Sequence, residues 1–577
     1  MRMYWKPTSS TLLLVFMLLL NGISSIPHSR HKLLYSGKNH GYTCVGCVIT
    51  ISIVEQLAEV HNSTVKEALE RLCGFFSEIW NLKRICFLLL DIFGPTIIKR
   101  MEAKMNADML CYSIHLCRQR AGQPHCHLYD LPKVGLNAAI KESERMAETQ
   151  ISETMHGLSG ICSLPFLKDL CKNIEKVIKS KLPYKDFDGD KFSTSPNLRG
   201  YYWRGRDCDD TESSVHPGRR PDNWDAKKDS NCNGIWGVDP KDGIPYEQKF
   251  CNGTDSKGII ILGDSAAAHF HIPPEWITAS KMSKKAFSNI PEVLSNELDW
   301  PQFSGTTGFL NSTIGGWTES FYLNLRRRNH CNHRDYQQLS KNGASSENIL
   351  DLLKSLARTQ QFDKPAIVIF ALIGNDVCNG KRDTVKHMTR PDEMRINVIQ
   401  TLHYLDSQVP KGSHVLLTGL VNGDILWDNM HSRYHPLGQL NKDVTYGQLY
   451  SFLSCLQVNP CRGWMSSNST LRDVTTKRAA QLSSVLKEIA ISEKYANFDV
   501  FYMDYPLKEI TELWHKLGGE TWQLIEPVDG FHPNQIASAL GTRILWEKIL
   551  RKWPYILGKE NPFNREIASV FKDQGGH

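Results

Sequence analysis

Six cysteines in the first quarter of the chain, Cys44, Cys47, Cys73, Cys86, Cys111 and Cys117, constrain its fold more than any other feature. Segments of helical period lie between them, at 48–61, 65–76 and 87–98, with few Gly or Pro to interrupt them. Ten more cysteines follow, sixteen in all. An even number at this density points to disulfides and an oxidising compartment. A zinc site at Cys44-x-x-Cys47 is disfavoured, because a second close thiolate pair is missing. Six cysteines alone leave their pairing open.

The N-terminus agrees with that compartment. Arg2 and Lys6 precede an apolar run at 12–20 and the small residues Gly22, Ser24 and Ser25, the pattern of a signal peptide over 1–25 followed by a propeptide over 26–39. The apolar run is shorter than the ~20 residues a membrane span needs. The best later stretch, 86–98, contains Asp91, Gly94 and Pro95, so a soluble mature protein is expected. Sequons at Asn62, Asn252, Asn311 and Asn468 fit glycosylation on the same route. No K-D-E-L tail is present, which predicts secretion or delivery to lysosome-like vesicles.

The cysteine frame resembles a saposin B-type module over 40–121. The resemblance implies pairing of Cys44 with Cys117, Cys47 with Cys111 and Cys73 with Cys86, and a small helical bundle that binds lipid at a membrane or micelle surface. Most of its apolar positions are expected to form the core of that bundle. Residues 122–180 are more polar, with a Glu- and Lys-rich stretch at 141–153 and a small, flexible segment before Cys162. They are expected to form a linker with a processing site near 157–160. Cys162 and Cys171 are close enough in sequence to pair locally.

Residues 181–250 are unusual in composition. Asp186, Asp188 and Asp190 alternate around Gly189; Asp207, Asp209 and Asp210 follow; Asp225, Asp229, Asn231 and Asn233 precede Gly234. Alternate residues in a tight loop point several oxygens inward together, and calcium takes six to eight of them. Main-chain carbonyls near Phe192 and Ile235 are expected to complete the shell. No Glu stands where an EF-hand ends; the runs resemble EF-hand or thrombospondin-like loops without flanking helices. Asp, Asn and Gly also mark solvated turns, and the Lys and Arg of this stretch offer the carboxylates another partner. Calcium is the expected ligand, in a structural role.

From 251 to 577 apolar strand-like runs at 258–262, 366–372, 415–420 and 499–503 alternate with helical stretches at 348–357, 479–489 and 537–550. Continuous apolar strands between helices predict an α/β domain with a parallel sheet covered on both faces. Sites in such folds gather at the carboxyl ends of the strands. Ser265 stands there, in Gly263-Asp264-Ser265 after the first run, although Ala267 excludes a G-x-S-x-G elbow. Near the C-terminus Asp529 precedes His532 by three residues, a spacing that lets a carboxylate orient an imidazole as general base for a serine. Gly374-Asn375-Asp376 ends another strand, and Asn342-Gly343 precedes a helix.

In that order, Ser265, Gly343, Asn375 and His532 resemble the GDSL or SGNH hydrolases. The resemblance implies a flavodoxin-like domain over 251–577 and a serine esterase with Ser265, Asp529 and His532 as catalytic residues. It also implies an oxyanion hole from the backbone N–H groups of Ser265 and Gly343 and the side-chain amide of Asn375. Donors of this kind are worth about 3 to 4 kcal/mol each. His269 and His271 read as packing or surface residues, Asp264 as a helix cap and Asp376 as a loop-orienting group. The basic residues Arg326, Arg327, Arg328, His330, His333 and Arg334 suit either lipid phosphates or a solvated face.

A secreted saposin-like module, a calcium segment and a GDSL-type hydrolase in one chain together resemble the acyloxyacyl hydrolase family. That resemblance implies an esterase that detoxifies bacterial lipopolysaccharide by removing the secondary, acyloxyacyl-linked fatty chains of lipid A. It also implies a precursor cut into small and large chains that a disulfide still joins. If Cys162 pairs with Cys171, only Cys126 remains as the tether. Cys455 is its expected partner, with Cys208–Cys232, Cys251–Cys331 and Cys378–Cys461 completing a set that sequence alone does not establish. A general secreted phospholipase and a catalytically inactive lipid-binding or transfer protein are the rival readings. No organic cofactor is expected. Lys and Arg exceed Asp and Glu by only 68 to 61, so no electrostatic footprint of a nucleic-acid binder is present.

Overall fold

The computed structural model describes residues 37–78, 82–114, 116–118, 125–130, 138 and 179–577. The expected signal peptide, nearly all of the propeptide, the 141–153 stretch, the 157–160 processing site and the Cys162–Cys171 pair lie outside the described residues.

The N-terminal part contains helices Gly37–Val60, Val65–Phe75, Leu82–Glu102 and Ala107–Ser113. The first two are separated at Asn62, which adopts a left-handed φ of 44°. A capping box then starts the second: Thr64 Oγ1 accepts from the Glu67 N–H, and the Glu67 carboxylate accepts from the Thr64 N–H. Bonds Cys44–Cys117, Cys47–Cys111 and Cys73–Cys86 staple the bundle as the resemblance implied. Contrary to the expectation that no later stretch suits a span, Gly41–Val60 is long and apolar enough to cross a membrane. A search for unbroken aliphatic runs misses it, because Thr43, Thr50 and Ser52 interrupt the sequence. Ser52 is buried and donates to Val48 O one turn back, which satisfies its hydroxyl inside the helix.

The apolar faces of this bundle do not close only on each other. Val48, Ile51, Val54 and Leu57 share one core with Trp276, Phe287, Leu437 and Phe452 of the C-terminal part. Phe75 and Phe76 pack on the Phe287 ring at centroid distances of 5.9 and 5.3 Å. Each such side chain contributes about 1.5 to 3 kcal/mol by leaving water. Cys126–Cys455 adds a covalent link across the same boundary.

The C-terminal part is built on five parallel strands, β1 (Gly258–Gly263), β2 (Tyr336–Ser340), β3 (Ala366–Ala371), β4 (Ser413–Thr418) and β5 (Phe498–Met503), in the order β2-β1-β3-β4-β5. This is the flavodoxin-like order, whose switch point lies between β1 and β3. Alternate strand residues feed two cores. Ile260, Leu262, Val368 and Phe370 face one side, with Leu482 and Leu486 of helix Ser469–Ser492. Ile259, Ile261, Ile367 and Ile369 face the other, with Ile549 of helix Gln535–Lys552.

Strand β2, Tyr-Gln-Gln-Leu-Ser, has no apolar run to announce it, yet every residue of it is buried. Its glutamines are satisfied inside: Gln338 Nε2 donates to Ala267 O at 2.9 Å, and Gln337 Oε1 accepts from Ala357 N at 3.0 Å. The Asp-rich segment covers its outer edge. Gly205 N donates to Tyr336 O and Gln338 N to Trp203 O, so backbone 203–205 runs antiparallel along β2 and removes a free sheet edge. Ile235 and Phe250 of that segment share a small core with Cys331 and Ile567 of the hydrolase part, and Trp203 and Arg204 are buried. Cys208–Cys232, Cys251–Cys331 and Cys378–Cys461 form as expected. The four sequon asparagines, Asn62, Asn252, Asn311 and Asn468, are all exposed.

Candidate active site

Strand β1 delivers Ser265 to the carboxyl edge of the sheet. Gly263 permits the tight turn, since a Cβ there would stand 2.3 Å from Ala267 Cβ. Asp264 caps the short helix Ser265–Ala268 through the Ala266 and Ala267 N–H groups, as expected of a cap, and its Oδ2 also accepts from Ile373 N at 3.0 Å. The turn after β1 is thereby tied to the turn after β3, which carries Asn375. Burial pushes the Asp264 carboxyl up to about 6 against the opposing pull of His532 and these donors.

His532 Nε2 lies 2.7 Å from Ser265 Oγ, and His532 Nδ1 lies 2.5 Å from Asp529 Oδ2. Residues 267 positions apart in sequence thus form one relay. The carboxylate fixes Nδ1 as the protonated nitrogen and leaves Nε2 as the acceptor of the serine proton. Asp529 Oδ1 also accepts from the Phe531 and His532 N–H groups. Burial opposes charge on both partners. Their mutual attraction and these bonds nevertheless hold Asp529 below the usual carboxylate range, and Asp529, Asp264 and Glu526 raise His532 above its ordinary value.

Asn375 lines the same cavity as Ser265 and His532, and its Nδ2 donates to Ala344 O at 3.0 Å. Gly343, on the turn after β2 with a left-handed φ of 76°, is not among the residues lining that cavity, although its neighbour Ala344 is the acceptor for Asn375. Asp376 orients this loop, accepting from Ser346 N, Ser346 Oγ and Thr389 Oγ1. The cavity, about 70 Å³, has Ile373, Val421, Leu426, Trp464, Leu524 and Phe531 among its walls, a lining suited to an acyl chain.

His269 and His271 are buried. His269 ends the short helix at a φ of 66°, and burial lowers its imidazole to about 3, leaving it neutral. His271 does more than pack: its Nδ1 lies 2.7 Å from Glu526 Oε2. Reading residue types one at a time missed Glu526. Its only sequence signal is an acid three positions before Asp529. Also unforeseen were Tyr446, His435 and Tyr450, which hydrogen-bond Pro527 O, Val528 O and Gly530 O and hold the loop bearing Asp529 and His532.

Carboxylates of the Asp-rich segment converge. Ligand atoms of Asp186, Asp188 and Asp210, and of Asp188, Asp190 and Asp207, approach one another within 4.8 Å. Oδ2 of Asp188, Asp190, Asp207, Asp210 and Asp225 is buried without a hydrogen-bond partner among the described residues. Burial and mutual repulsion push Asp190 up to about 8 and Asp207 to about 6, while burial pushes Asp229 to about 7 and Asp225 to about 6. Orphaned hard oxygens facing one another fit a calcium ion. Asp209 is half-buried and bonds Thr211. Phe192 N donates to Asp190 Oδ1 and Ile235 N to Asn233 Oδ1, placing both residues in these loops. Asp229 accepts from the Asn233 and Gly234 N–H groups. The Asn231 and Asn233 amides meet the buried Glu247 carboxylate, a neighbour beyond the alternating runs.

Much of the basic segment is committed to the chain terminus. Arg334 donates to Gly575 O and Gly576 O, Arg326 to Asp573 O and Gln574 Oε1, and Arg328 to Gly558 O. Arg327 is exposed and pairs with Glu319. Arg326, Arg328 and Arg334 thereby anchor C-terminal residues of the chain.

Two families match separate stretches of the chain. Residues 43–172 match the saposin-like domain family, and residues 259–540 match the family of GDSL-like lipases and acylhydrolases. Over 579 residues the chain is 57% identical to an acyloxyacyl hydrolase of Mus musculus, covering 100% of both chains. It is 58% identical to those of Homo sapiens, over 93% of this chain and 94% of the relative, and of Oryctolagus cuniculus, with the same coverage.

Proposed function

The chain belongs to the acyloxyacyl hydrolase family, and on that premise we propose that it removes the secondary, acyloxyacyl-linked fatty chains from the lipid A of bacterial lipopolysaccharide. It is a lipid-hydrolysing carboxylic ester hydrolase. The observation that carries the proposal is the Ser265–His532–Asp529 relay at an apolar cavity, on a domain sharing its core with a saposin-type bundle.

Ser265 Oγ attacks the acyl carbonyl while His532 Nε2 takes its proton. The developing oxyanion is held by the N–H groups of Ser265 and Gly343 and by the Asn375 amide. That amide has two N–H bonds; Ala344 O fixes the side chain through one, leaving the other for the substrate. His532 returns the proton to the departing hydroxyl of the primary chain. Water, activated by the same imidazole, then releases free fatty acid from the acyl-enzyme.

Three features support this chemistry. The saposin-type bundle presents the amphiphile at a membrane or micelle surface. Calcium, held by oxygens of Asp186, Asp188, Asp190, Phe192, Asp207, Asp209, Asp210, Asp225, Asp229, Asn231, Asn233 and Ile235, neutralises otherwise crowded carboxylates and fixes the cover over β2. Cleavage near 157–160 yields small and large chains joined by Cys126–Cys455, in a glycosylated protein that is secreted or delivered to lysosome-like vesicles.

Mass spectrometry of fatty acids released from purified lipopolysaccharide tests the assignment. Wild type is expected to release only the acyloxy-linked chains and Ser265→Ala none. Release by both variants rejects the nucleophile, and cleavage of phospholipid but not lipopolysaccharide rejects the substrate.

A further inference from the structure

The loop bearing Asp529 and His532 is a hairpin with Glu526 at its base. Glu526 N donates to His532 O at 2.8 Å, Gly530 N donates to Glu526 O at 2.9 Å, and Ile525 bridges Pro533. On the other side, the segment after Ser265 is clasped to it: Phe270 N donates to Ser265 O at 2.9 Å, and the Phe270 ring lies 4.8 Å from that of His532. His271, the next residue, is fixed by its N–H to Leu298 O and by its carbonyl to Trp300 Nε1. Across this gap His271 Nδ1–H meets Glu526 Oε2 at 2.7 Å, with side chains only 5% and 2% exposed.

We propose that Glu526 and His271 are a positioning pair that pins the Asp529–His532 hairpin to the Ser265 turn. The inference rests on the Ser265–His532–Asp529 reading of the site. A buried hydrogen bond costs more to break than an exposed one, because removing one partner leaves the other desolvated and unpaired. The pair therefore holds the serine and imidazole within hydrogen-bond reach when substrate binds. The pair acts through the two backbone segments that it joins.

Among the described residues, few titratable groups face His532 and Glu526. Asp264 comes from the β1 turn, His269 and His271 from the segment after it, Asp529 from the hairpin itself, and His435 and the Tyr446 phenol from the opposite wall. Burial keeps the His269 and His435 imidazoles and the Tyr446 phenol neutral, so the carboxylates dominate. Glu526 supplies one of three negative charges that favour the protonated imidazole.

Kinetics on a soluble p-nitrophenyl acyl ester read the pair. Glu526→Gln keeps a carbonyl for His271 and removes the charge. It is expected to leave KM unchanged, lower kcat by about 5- to 30-fold and shift the acid limb of kcat/KM about half a unit to lower pH. His271→Ala is expected to lower kcat by about tenfold or more, and His271→Asn, whose amide N–H can take the place of Nδ1–H, to restore most of it. Wild-type kcat and pH profile in Glu526→Gln overturn the proposal. Should that variant not fold, equal kcat in His271→Ala and His271→Asn overturns it instead. Ser265→Ala, run beside them, separates the two readings: hydrolysis surviving in it means that the site reading itself is wrong.

Discussion

Asp264 Oδ2 accepts the backbone N–H of Ile373 at 3.0 Å, joining the turn that presents Ser265 to the turn that presents Asn375. These turns follow β1 and β3, neighbours at the switch point of the sheet. One buried carboxylate thereby sets the spacing between nucleophile and amide donor.

In Asp264→Asn one of the two oxygens becomes an NH2 group, so either the Ile373 N–H or the helix cap loses its acceptor. Leaving a buried donor unpaired costs about 1 to 3 kcal/mol. Thermal unfolding is expected to show that loss together with a lower kcat. The wild-type carboxyl also carries a sign. Its folded pKa of about 6 is raised above the unfolded value, so its contribution is full below the unfolded pKa and fades as pH rises through about 6.

His532 titrates above the ordinary imidazole value. The stability this adds is full below about pH 6.5 and declines as pH rises through the folded value. Activity runs the other way, because Nε2 must be unprotonated to accept from Ser265. The acid limb of kcat/KM is expected above about pH 6.5. Asp529→Asn should move the limb down and lower kcat by about 10²- to 10⁴-fold, as stopped-flow measurements on an ester can check.

Chelation should act on stability before chemistry. If calcium balances the crowded carboxylates of Asp188, Asp190 and Asp207, EDTA is expected to lower Tm, and activity to fall only as the β2 edge loosens. Calcium, and not magnesium, should restore both in calorimetry. Asp190→Ala should lower Tm and blunt the calcium response.

Gly423 borders the acyl cavity, and a Cβ there would stand 2.5 Å from the Trp464 ring. Gly423→Ala is expected to shorten the preferred acyl chain, lowering kcat/KM for long esters by about 10-fold while sparing short ones. A chain-length series of p-nitrophenyl esters measures this directly.

Cys126–Cys455 bridges 329 positions. Cleaved protein should separate into two bands on gels only after reduction, and Cys455→Ser should do so without it. Loss of that bond also costs about 2 to 5 kcal/mol, visible as a lower Tm.

Much of this was legible in the residues themselves. The period of the apolar runs placed β1, β3, β4 and β5, because a strand buried on both faces must be apolar throughout. The local motifs around Ser265, Asn375 and Asp529-x-x-His532 identified the relay, since an acid three positions before a histidine can reach its ring. The cysteine frame, with the resemblance it carries, set the bundle's pairing.

Other features exist only between segments far apart in the chain. β2 is polar because its glutamines find buried partners, and no local pattern reveals partners at Ala267 or Ala357. The His271–Glu526 contact spans 255 positions, and the basic segment meets the C-terminal residues across more than 240. Periodicity and motif spacing report what a residue does to its own helix, strand or turn. A buried polar group is decided by which distant group desolvates with it, and only the folded chain brings those two together.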